Sequence, residues 1–195
     1  MADWWSPLIS AAAGLTGVWV GSSLTLAREQ KQRQYDFARR QLEEFYSPFC
    51  ALRDEIRAKG EIRARVSTAA GAAWTAAFAG VIDPETNTRI GDERTPAQER
   101  SIEYDNEQLR REIIPTFKRM CGLFQEKLWL VEESTRKQYP VLMAFAELWD
   151  RYLAQATPGE VLATAGHSEQ SLLPLYEDAD GWRRALMEQL RSGGG

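Results

Sequence analysis

Between Asp3 and Arg28 the chain carries no charged side chain, and Arg28, Lys31, Arg33, Arg39 and Arg40 follow at once. At about 1.5 Å rise per residue, an uncharged run of that length makes a helix able to cross the ~30 Å hydrocarbon core of a bilayer. A basic flank on one side only orients such a helix, because Lys and Arg are held on the cytoplasmic side. The sequence therefore predicts a transmembrane anchor over residues 1–27, with a very short outer amino terminus and the carboxy-terminal bulk in the cytoplasm. The expected location is the cell inner membrane, as a single-pass protein.

Detail in the anchor adds to this. Trp4 and Trp5 stand at its amino-terminal edge, where indoles favour the headgroup region, and Arg28, Lys31 and Arg33 mark the opposite interface. A secretory signal peptide places its positive charges before the apolar stretch; here they come after it, so the segment is expected to be retained. An uncharged helix buried in a soluble bundle is the competing reading, and the tryptophan edge and one-sided basic flank favour the membrane. Ser10, Ala13, Gly14, Gly17 and Gly21 recur at spacings of three and four, placing small residues on one stripe where a second helix can approach closely. That stripe predicts self-association of the anchor. The bland alternative is that Gly and Ala are simply common in membrane helices.

Behind the anchor the periodicity is helical throughout, so the fold class is all-α, with the N-terminal transmembrane helix continuing into a cytoplasmic helical bundle. Residues 28–47 read as a charged helical stalk, 48–191 as the bundle and 192–195 as a flexible tail. Leu42, Phe45, Phe49, Leu52 and Ile56 form one apolar stripe, interrupted at Ser47-Pro48 by a bend or a new helix start. The pattern runs on through Ile62, Val66, Ala69, Ala73 and Ala77, where small residues permit close packing of another helix. Residues 81–95 read as a loop, and Thr95-Pro96 as the start of a helix with the stripe Leu109, Ile113, Phe117, Met120, Phe124 and Leu128, kinked at Pro115. A further helix from near Ser134 carries Val141, Phe145, Leu148, Trp149 and Tyr152. Thr157-Pro158-Gly159-Glu160 opens a short helix, and Ser168 caps a last one.

The chemistry is bounded mostly by exclusion. A net charge of −4 supplies no overall basic field, so direct nucleic-acid binding is not expected. The cluster Arg57, Lys59, Arg63 and Arg65 is offset by Asp54, Glu55 and Glu61 and reads as a solvated helix face. His167 is the single histidine, which rules out HExxH and multi-histidine metal sites, and neither GxxxxGK nor GxGxxG occurs. The Arg that helical ribonucleases of the HEPN superfamily place ahead of their His is absent from Glu160, Val161 and Leu162. Cys50 and Cys121 read as reduced core residues rather than a disulfide framework. Glu43-Glu44 and Glu132-Glu133 read as solvating pairs, and Trp129, Trp149, Trp182, Phe117, Phe124 and Phe145 as core. No catalytic, cofactor-binding or metal-binding residue is assigned, and an enzyme is not expected.

The segments QLEEFYSPFCALRDEI, KLWLVEESTRKQYPVLMAFAELWDRYL and GHSEQSLLPLYEDA resemble uncharacterised bacterial single-pass membrane proteins with a cytoplasmic helical domain. In overall plan the chain is also similar to the membrane pore accessory protein of type VI-B CRISPR systems. The residues point to a membrane-anchored interaction module that contacts lipid, associates with itself and meets a cytoplasmic protein partner. The alternative, which the second resemblance implies, is an oligomeric pore or membrane-perturbing effector in antiviral defence, with Ser10, Thr16, Ser22, Ser23 and Thr25 lining a channel.

Overall fold

The computed structural model describes residues 25, 26, 28–78, 96–164 and 168–193, which form helices and short turns with no strand among them. The expected anchor, with Trp4, Trp5, Ser10, Ala13, Gly14, Gly17 and Gly21, lies outside the described residues. Among the described residues no helix is long and apolar enough to cross a membrane. The all-helical bundle itself is observed.

Residues 28–78 form one uninterrupted helix: α1 over 28–41, a π-helical turn at Leu42–Tyr46, and α2 over Ser47–Phe78. No new helix begins at Pro48. A proline inside a helix lacks the N–H donor and its ring crowds the carbonyl four residues back, which here belongs to Glu44. That carbonyl falls within the π-turn, where the Ser47 N–H reaches back to the Leu42 oxygen and the hydrogen-bond ladder has already slipped by one residue. The same device recurs downstream. α3 (Pro96–Gln108) runs through a second π-turn (Leu109–Ile113) into α4 (Ile114–Lys127), and Pro115 again stands two residues beyond the turn. Each proline is absorbed by a π-turn placed just ahead of it.

After α4 a 3-10 turn (Leu128–Leu130) leads to α5 (Glu133–Arg136), α6 (Tyr139–Leu153), α7 (Gly159–Thr164), a second 3-10 turn (Glu169–Leu172) and α8 (Leu173–Ser192). The helix expected from Ser134 is thus two helices, because Pro140 is seated in the first turn of α6 where its missing donor costs no bond. The inward face of α6 also differs. Leu142, Phe145 and Ala146 are buried, Leu148 and Trp149 are half-buried, and Val141 and Tyr152 are exposed. α6 ends in a Schellman motif, with the Ala156 N–H on the Arg151 oxygen and Gln155 in the left-handed region at φ 58°. Ser168 caps the last segment as expected, its Oγ accepting from the Gln170 N–H at 3.2 Å.

The core is aromatic at its centre. Phe124 meets Phe45 and Phe49 edge to face at 4.9 and 5.5 Å and stacks on Tyr139 at 5.0 Å, joining α4, the first π-turn, α2 and α6. Leu130, Leu142, Leu172 and Leu175 close the remaining sides, all essentially inaccessible to water. Cys50 is buried, and Cys121 only partly so.

A chain of polar groups fixes the corner between α4 and α5. The Tyr46 hydroxyl accepts from the Glu132 N–H and lies 3.2 Å from Thr135 Oγ1, which donates to Asp178 at 2.5 Å. Since Thr135 gives its only proton to Asp178, Tyr46 donates to Thr135. Gln41, buried, donates to the Leu130 carbonyl and to Glu132, both at 2.9 Å. The Leu130 carbonyl and the Glu132 N–H, which stand at the bend, are thereby partnered, which matters because an unmade buried bond costs about 1–3 kcal/mol.

Replacing Phe124 with Ala removes the ring shared by four elements. It is expected to cost about 3–5 kcal/mol, read as a lowered urea midpoint with the native far-ultraviolet circular dichroism retained at low denaturant.

Candidate functional site

An apolar recess lies where α2, the second π-turn, α4 and α6 meet. Its back wall is the α2 stripe Ile56, Gly60 and Ala64, four residues apart and therefore on one side of the helix. Its floor is made where the second π-turn meets α4: Leu109, Ile113, Ile114 and Phe117 are all buried there. Widening the helix at that turn is what lets the neighbours Ile113 and Ile114 both face inward. π-turns often mark functional positions. Phe145 and Trp149 of α6 close the third side, with Phe145 lying 4.8 Å from Phe117 ring to ring. The cleft holds about 420 Å³.

Its rim is charged and already paired. Arg57 bonds Asp54 at 3.0 Å, Arg63 reaches Asp105 of α3 at 3.6 Å, and Glu61 and Glu169 complete the edge. Just above, the Lys59 ammonium sits 2.8 Å from both Glu55 and Glu112. Glu112, then Glu55, hold that ammonium protonated above its ordinary range, and Lys59 in turn draws the Glu55 carboxyl below its own. The basic cluster is thus the solvated face its sequence implied. What the cleft offers is an apolar surface of side-chain size with orienting charges at its lip, a binding geometry rather than a reactive one.

Burial raises Cys50 above its ordinary value and pushes Cys121 up to about 11, so both are protonated near neutral pH. His167 lies outside the described residues. The acidic pairs are structural: Glu44 is held below the usual carboxylate range by Lys127 first and Arg40 second, Glu43 pairs with Arg39, Glu133 with Lys137, and Glu132 belongs to the corner network. Among the described residues no group of three or more His, Cys, Asp or Glu could hold a metal ion.

Of the interface residues expected from sequence, Arg28, Lys31 and Arg33 are exposed on α1, and Arg33 pairs with Glu29 at 3.7 Å. Arg28 and Lys31 share a surface hollow with Tyr35 and the end of α8, where the Tyr35 hydroxyl donates to the Leu190 carbonyl at 3.3 Å. Trp129, expected in the core, is half exposed: it ends α4 in a 3-10 turn, with Phe37 at 6.1 Å and the Arg40 guanidinium 4.5 Å above its ring. Leu128 is exposed beside it for the same reason, the helical period having broken one residue earlier.

Sequence periodicity missed the cleft because all its apolar walls read as ordinary core positions. Gly60 was its one visible signal. A Cβ built there meets nothing within 4 Å, so Gly60→Ala is accommodated and is expected to raise stability by about 1 kcal/mol through helix propensity, seen as a higher urea midpoint with an unchanged slope. No family model matches this chain, and neither a curated protein nor a solved structure does so.

Proposed function

We propose that this protein is a membrane-anchored helical interaction module at a bacterial inner membrane, associating with itself and meeting a cytoplasmic protein partner. The observation that carries this reading is the single helix over residues 28–78. Its middle builds the core, its charged amino-terminal turns lead out of the uncharged segment 4–27, and its far end leaves the bundle uncovered. A rigid strut of that kind holds a folded domain at a defined distance from a bilayer and presents its distal surface to other proteins. The apolar cleft beside Gly60 adds a recess of a size that takes a partner's side chain.

A second reading, an oligomeric pore acting in antiviral defence, draws on the semi-polar anchor, in which Ser10, Thr16, Ser22, Ser23 and Thr25 would face a channel. Both readings need the anchor to gather copies. In lipid nanodiscs or mild detergent the full chain is expected to run as a discrete multimer, and Gly17→Leu with Gly21→Leu to reduce its mass while the thermal melt of the bundle stays unchanged. Conductance in planar bilayers would select the pore; a multimer without conductance selects the tethered module. A full chain that is monomeric at all concentrations contradicts both.

A further inference from the structure

We draw no further inference here: the strongest candidate, the exposed face of α2 beyond Gly60 that carries Ile62 and Val66, is an apolar surface left uncovered by the described bundle, and nothing in the structure shows what covers it.

Discussion

Everything in this structure depends on the helix remaining continuous through Pro48. A proline at that position would ordinarily kink or end a helix, at a cost of about 3 kcal/mol or more. The π-turn at Leu42–Tyr46 removes the conflict by shifting the ladder before the ring arrives, and the shift also places Phe45 and Tyr46, adjacent in sequence, both in the buried interior. Phe45 then meets Phe124, while Tyr46 reaches the Glu132–Thr135 corner. A helix of regular period would point these neighbours about 100° apart. One backbone irregularity thus keeps the strut straight enough to extend beyond the bundle and supplies two anchors of the core.

The second π-turn repeats the device with a different result. Leu109, Ile113 and Ile114 fill the floor of the cleft instead of a polar corner, and Pro115 follows at the same offset as Pro48. The bundle therefore has a dry, closed side around Phe124 and an open side around Phe117 and Trp149. The open side lies beside Gly60 and Ala64, beyond which α2 runs on with Ile62 and Val66 exposed, while Leu26, Phe37 and Trp129 are exposed toward the α1 end.

Much of the fold was legible in the sequence. The stripes Phe45-Phe49-Leu52-Ile56 and Ile113-Phe117-Met120-Phe124 are buried as their spacing implies, and Ser168 caps as its position implies. Failures occurred where local letters do not encode tertiary cover. Ile62 and Val66 continue the α2 period without a partner on that face, and Trp129 and Leu128 fall just beyond the point where α4 tightens into a 3-10 turn. The π-turns were visible only as their prolines, because periodicity registers a break but not whether the backbone kinks or slips. The cleft was hidden for a related reason: its walls are apolar and helical, and only the three-dimensional gap beside Gly60 distinguishes them from core. The expected self-association residues of the anchor lie outside the described residues, and their role stands on the sequence alone.

The continuity of the strut is directly measurable by pulsed electron paramagnetic resonance. Spin labels would be attached at Gln30→Cys and Ala76→Cys in the full chain, with Cys50 and Cys121 replaced by Ala. A continuous helix places these positions about 65–70 Å apart with a narrow distribution. A distance below about 50 Å, or a broad one, would mean that the chain hinges at Ser47-Pro48, and would contradict both the strut and the distal presentation built on it.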